Sequence, residues 1–490
     1  MTRYDPNYYL DAANDAEMIQ RAVDAAAADG VRVTVPRRNL RTGQDIWIIP
    51  QAILLYSGSV VALDNCHLRQ ADGCFDNLFR NANARTERAQ TRAGRQYDIR
   101  ICGVGHAVLD GGNHNGLIER NSGQDGRPHI IVNTMLHFHN CERVTLENLN
   151  LLHPRWWGIT FHYCAQGRVS NIRFMSIGSA PNADGVDLRT GCNGFVIENL
   201  SGYTQDDSVA LTCLDHGFDA TMRVEGMDDS IHNVIVRNIT TASMCAQVRL
   251  LNQDGKKLYN VLVENVQSAC ELDPADPKAA EYEYLAPFSK DYALESRTTW
   301  AAEKPYWARF EGDRRGGAGV RIGQDHYYKD NDPKNRARLG DTFNITVRNV
   351  QTSAFEGITI GGTLRDALIE NVQTFGRSAI PVYFGAGEYD CIRLRDIGSA
   401  WNTSPRDEDL AEGTLERYGD MYGYAVPAAV YFHRAAVRGL TVDGVRANAY
   451  ARAVFAGDGC DVRLRAWNVQ TRGEETKLAE GEGLRVELRD

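Results

Sequence analysis

Short stretches in which apolar and polar residues alternate recur along the chain, most of them closing on an asparagine followed by an apolar residue. They are RVTLENLNL (143–151), RVSNIRF (168–174), FVIENLS (195–201), VIVRNIT (234–240), VLVENVQ (261–267), ITVRNVQ (345–351), ALIENVQ (367–373) and LRAWNVQ (464–470). Alternation with period two marks a strand buried on one side. The asparagines Asn148, Asn171, Asn199, Asn238, Asn265, Asn349 and Asn371 follow one another at steps of 23, 28, 39, 27, 84 and 22 residues. Steps of 22 to 28 suit one coil of a β-solenoid, and longer steps mark loops inserted into a coil. The asparagine row is expected to be structural, with side-chain amides stacked in a turn and bonded to each other and to backbone.

A second set of apolar–x–apolar triplets keeps a fixed place in the coil: ITF (159–161), VDL (186–188), VAL (209–211), VRL (248–250), ITI (358–360) and VYF (382–384). Their end residues point inward. Thr160, Asp187, Ala210, Arg249, Thr359 and Tyr383 are therefore left on an outer row, the expected substrate-binding surface.

Residues 14–29 break the strand pattern and predict an amphipathic helix, with Asn14 as cap, Glu17 closing a capping box, and Ile19, Val23 and Ala27 on one face. A helix there covers the apolar end of the solenoid, which otherwise exposes strand edges. The largest interruption, 269–341, shows no ladder strand. It is rich in aromatic and basic residues, among them Trp300, Tyr306, Trp307, Arg309, Arg314, Arg315, His326, Tyr327 and Tyr328. Such a loop is expected to form a lid or a wall of the active site, or to serve as an oligomer contact.

Composition narrows the picture. A continuous repeat over 490 residues argues for one elongated domain spanning 1–490, and 43% hydrophobic residues suffice for its core. A net charge of −10 gives no attraction to nucleic acid or to an anionic membrane. No run of 18 apolar residues occurs, the N-terminus lacks the pattern of a secretory signal, and the 11 cysteines show neither framework nor zinc spacing. The expectation is a cytoplasmic protein with reduced thiols and no cofactor or metal.

The chemistry concentrates in NADGVDL (182–188) and QDDSVAL (205–211). Aligning Val186 with Val209 puts Asp184 on Asp207, one coil of 23 residues apart, with Asp206 beside them. Stacked coils lie roughly 4.8 Å apart. Carboxylates that close repel, so the cluster persists only if it does chemistry, binds a cation such as calcium, or is satisfied by donors.

These residues resemble the polygalacturonase family of pectin hydrolases, glycoside hydrolase family 28. The likeness runs through the cap helix, ICGVGHAVLDGG (101–112), HPRWWGITF (153–161), NADGVD, QDDSVAL and VRL. It implies an all-β right-handed parallel β-helix with an N-terminal capping helix, a carbohydrate substrate, and inverting hydrolysis by Asp184, Asp206 and Asp207. Asp206 would be the general acid, with Asp184 and Asp207 sharing the nucleophilic water. Asn182, Asp187 and Arg249 would bind substrate. His216 is a further candidate against an ordinary surface role, and Trp157 is read either as a sugar platform or as packing. Two departures stand out. Leu251 replaces the family's lysine two places after Arg249, and the Gly-His-Gly motif is absent, with His216 and His232 the nearby histidines. Fold and carboxylate chemistry therefore carry over better than pectin specificity. An exo-acting hydrolase on short oligosaccharides or glycosides, uronates among them, leads. A lyase or epimerase on the same fold and a non-catalytic carbohydrate-binding solenoid are the alternatives.

Overall fold

A computed structural model of the chain describes residues 2–119, 121–176, 182–215, 217–243, 245–253, 255–268, 318–323, 336–352, 354, 356–374, 380–399, 428–446, 452–470 and 477–488. Strands dominate, and the pairings between strands are parallel, joining 28 of them into one continuous sheet. The coils wind as a right-handed parallel β-helix, as the repeat and its resemblance predict. Among the described residues, α-helix is confined to Asp15–Asp29 and the short Gly217–Thr221.

Each coil pairs one long strand with one short one. The long strands, such as Ile231–Ser243 and Leu258–Ser268, bend at the asparagine because that residue takes left-handed backbone angles: φ is 58° at both Asn238 and Asn265. Asparagine tolerates this region where most residues lose roughly 1–2 kcal/mol. The amides then form an unbroken ladder from Asn371 to Asn148, each Nδ2 donating to the Oδ1 one coil before at 2.9–3.0 Å. Beyond Asn371 the corner passes to Asp396, Gly444 and Asn468, all with positive φ.

Inside the coils runs a single column of Val, Ile, Leu and Phe, with the thiols of Cys141, Cys164 and Cys192 buried among them. The helix Asp15–Asp29 closes the first coil. Asn14 accepts from the Glu17 N–H at 2.9 Å, Gly30 ends the helix in the left-handed region, and Met18, Ile19, Ala22, Val23 and Ala26 face the core. Ala26 takes the place expected for Ala27.

One boundary changes. Within the interval 269–341, Ala318–Ile322 is a ladder strand, paired Val248 to Val320 and Val320 to Ile358. The 84-residue step from Asn265 to Asn349 is therefore one coil that contains its own short strand. The aromatic and basic residues expected to form a lid or an oligomer contact lie outside the described residues.

Asn238 sits mid-ladder, with an amide bond to each side. Asn238→Ala should cost about 2 kcal/mol, combining two lost exposed hydrogen bonds with left-handed strain. Asn238→Gly, free of that strain, should cost about half as much. Urea unfolding of the two variants checks the order.

Candidate active site

The outer row survives in register. His137, Thr160, Asp187, Ala210, Arg249, Arg321, Thr359 and Tyr383 stack on successive coils. The turn before each short strand carries the acids. Gly158 N–H donates to the Asp184 carbonyl at 3.0 Å, and Gly185 N–H to the Asp207 carbonyl at 2.9 Å, so Asp184 and Asp207 are neighbours on adjacent coils as the 23-residue alignment requires. Gly185 makes this approach possible: a Cβ there would lie 2.3 Å from the Ser208 carbonyl oxygen. Asp206 is out of that register. Its Oδ1 accepts the Asp207 N–H at 3.0 Å, and its carbonyl takes the hydroxyls of Thr204 and Ser243, each at 2.7 Å.

These side chains open on a cavity of about 320 Å³. Asn182, Asp184, Asp187, Asp206, Asp207, Arg249, Leu251 and Trp157 all line it. Every residue expected at the site from the sequence is gathered there except His216, which lies outside the described residues. His232 is elsewhere, stacked on Tyr259 with ring centroids 4.8 Å apart.

Burial sets the electrostatics. Asp184 and Asp187 are held well above the usual carboxylate range, first by desolvation and then, for Asp184, by its acidic neighbours. Arg189 opposes the shift at Asp187. Burial, with the charge of Asp207 second, raises Asp206 to about 6, while Arg249 opposes. Few donors relieve the crowding: Arg249 Nη1 reaches Asp207 Oδ2 at 3.2 Å, but neither oxygen of Asp187 has a hydrogen-bond partner among the described residues.

Asp206, Asp207 and Cys245 bring one donor atom each within 4.8 Å of one another. That set does not suit calcium, which takes six to eight hard oxygens, because one member is a thiol that burial holds protonated. Asp184 does not join the knot.

One end of the cavity is walled. Trp156 and Trp157 stack at 3.8 Å, Phe218 lies edge-on, and the Arg189 guanidinium sits 4.3 Å over Trp157. Arg189 is locked to Asp219 by two bonds of 2.9 and 2.5 Å. With both ring faces taken, Trp157 is a wall and not a stacking platform. Beneath the wall lie His137, His139 and His162, all buried, their imidazoles kept neutral by desolvation. Sequence reasoning passed over these histidines, the Arg189–Asp219 pair and Arg321. LHFH (136–139) has the apolar–x–apolar form of the other triplets and was the available signal.

Residues 81–228, which contain the acid cluster, match the glycosyl hydrolases family 28 model. A probable polygalacturonase of Arabidopsis thaliana is 30% identical over 78 residues, 16% of this chain, and the match spans only 17% of that protein's length. Among solved structures, a mutant tailspike protein of E. coli bacteriophage HK620, in complex with a hexasaccharide, aligns with a TM-score of 0.54 at 12% identity, covering 97% of this chain and 76% of that one. A hyperthermoactive exopolygalacturonase from Thermotoga maritima aligns over 99% and 90% of the two chains at a TM-score of 0.43 and 14% identity. The fold is thus that of the parallel β-helix proteins. The chain is polygalacturonase-like, of the family 28 type in the segment that holds the acids.

A carboxyl whose pKa is raised in the fold to about 6 from an ordinary value near 3.9 destabilises the fold above the lower figure and is neutral in its effect below it. Asp206→Asn should therefore raise the thermal unfolding midpoint by about a few degrees at pH 7.5, and the gain should vanish near pH 3.5. Melting curves at the two pH values test this.

Proposed function

We propose that the protein is an inverting glycoside hydrolase acting from the chain end on short oligosaccharides or glycosides. The observation that carries this reading is a half-buried carboxyl, Asp206, raised to about 6 beside a pair of carboxyls stacked on adjacent coils. Glycoside hydrolysis needs an acid that still holds its proton near neutral pH and a carboxylate that activates water on the other face of the sugar. Asp206 protonates the departing oxygen. Asp184 and Asp207 hold the water between them, with Arg249 bonded to Asp207 and close enough to meet a substrate hydroxyl or carboxylate. The nearest oxygens of Asp206 and Asp207 are within 4.8 Å, tighter than the roughly 6.5–9.5 Å an inverting pair leaves for water. Asp184, from the preceding coil, is the other carboxyl that lines the cavity.

Chain-end action is supported by the Trp156–Trp157–Phe218 cluster, backed by the Arg189–Asp219 pair, which lines the cavity. A cytoplasmic setting is supported by the buried thiols of Cys141, Cys164 and Cys192, which form no disulfides. Leu251, 3% exposed, brings no charge to the cavity where the family resemblance expects lysine.

Asp206→Asn should lose roughly 10²–10⁴ in kcat/KM on a natural glycoside and far less on an aryl glycoside whose phenol leaves unaided. Asp184→Asn and Asp207→Asn should lose similar amounts on both substrates. Rescue of Asp207→Asn by the activated substrate would move the acid to Asp207. The wild-type rate should fall as pH rises through about 6, where Asp206 gives up its proton. Polygalacturonate should be a poor substrate by about one to two orders of magnitude, the worth of one charged hydrogen bond. Efficient release of galacturonate from it would contradict the role given to Leu251.

A further inference from the structure

Asp206 is approached from behind by a thiol, and the thiol by a guanidinium. Cys245 Sγ lies within 4.8 Å of carboxyl oxygens of both Asp206 and Asp207. Arg321 Nη1 donates to that sulfur at 3.4 Å from the following coil. The backbone holds the arrangement fixed: Cys245 N–H donates to Ser243 Oγ at 3.0 Å, Ser243 Oγ–H to the Asp206 carbonyl at 2.7 Å, and Ala318 N–H to the Cys245 carbonyl at 3.0 Å. Three coils are thus tied at one point, and that point is the acid.

We propose that Cys245 and Arg321 are positioning residues for Asp206: the thiol S–H bonds to the carboxyl, and the guanidinium of Arg321, bonded to the sulfur, turns the S–H toward it. The proposal rests on Asp206 being the general acid. A protonated thiol is a weak donor, and burial with the charge of Asp207 keeps this one protonated. An arginine bonded directly to Asp206 would favour the carboxylate by roughly 1–3 pKa units and strip the acid of its proton. A thiol between them orients the carboxyl without ionising it. Among the described residues, the charged and titratable groups that bear on Asp206 include Asp207 on its own turn, Asp184 and Asp187 from the preceding coil, Arg249 and Cys245 from the next, and Arg321 from the one beyond.

Two measurements test it. The first is the pH profile of kcat/KM on a glycoside with a poor leaving group for wild type, Cys245→Ala, Cys245→Ser and Arg321→Met. Cys245→Ala should lose about tenfold in rate, and the falling limb of its profile should move to higher pH, because a donor to the carboxylate is gone. Cys245→Ser should restore most of both, and Arg321→Met should shift the limb the same way by less. A loss that is equal at every pH and on aryl substrates would make Cys245 merely structural and overturn the proposal. The second needs no activity. Carboxamidomethylation of Cys245 by iodoacetamide at pH 8, followed by peptide mass mapping, should be at least severalfold faster in Asp206→Asn than in wild type, since the thiol loses a negative neighbour. An unchanged rate would overturn the contact. If wild type hydrolyses no glycoside but the alkylation rates differ, the hydrolase reading fails while the thiol–carboxyl contact stands.

Discussion

The fixed register of parallel coils is the constraint from which the rest of the structure follows. When strands stack in parallel at a spacing of about 4.8 Å, a residue type repeated at one place in the coil becomes a row. The asparagine corner holds that register. Each Asn supplies a left-handed bend at low cost and an amide that bonds to the coils on either side, so a slip of one residue would break both the ladder and the inward face of the strands. Register in turn forces Asp184 against Asp207 and lays Arg249 over Ala210.

The price of that placement is electrostatic. Four carboxyls, Asp184, Asp187, Asp206 and Asp207, share one small cavity with few donors, and the fold tolerates them because desolvation keeps protons on some of them. The same desolvation gives Asp206 a proton that can be transferred near neutral pH. Stability and acid strength are therefore set by one cause, the burial of the carboxyls. The Arg189–Asp219 pair lines the cavity without adding free charge to it.

Much of this was written in the sequence wherever the repeat was visible. The asparagine steps, the Val186–Val209 alignment and the outer place of Arg249 all follow from counting residues, because in a solenoid sequence distance converts into spatial adjacency. Counting failed where a coil was interrupted. Arg321 belongs to a strand whose coil spans the 84 residues from Asn265 to Asn349, and VRI (320–322) was the triplet that coil had to contain. Cys245 carries no motif, and its proximity to Asp206 depends on how the turn before Ala246 folds. For Trp157 the sequence left a sugar platform and packing both open; that Arg189 occupies its face is set by a residue 32 positions away and by Asp219 on a helix of five residues.

The central claim is that this buried cluster cleaves a glycosidic bond by a single displacement with water. Proton NMR of the first product released from an oligosaccharide or aryl glycoside panel tests it most directly. The account predicts a new reducing end of inverted anomeric configuration, seen before mutarotation sets in. A retained anomer, or an unsaturated sugar absorbing in the ultraviolet in place of a reducing end, would contradict it.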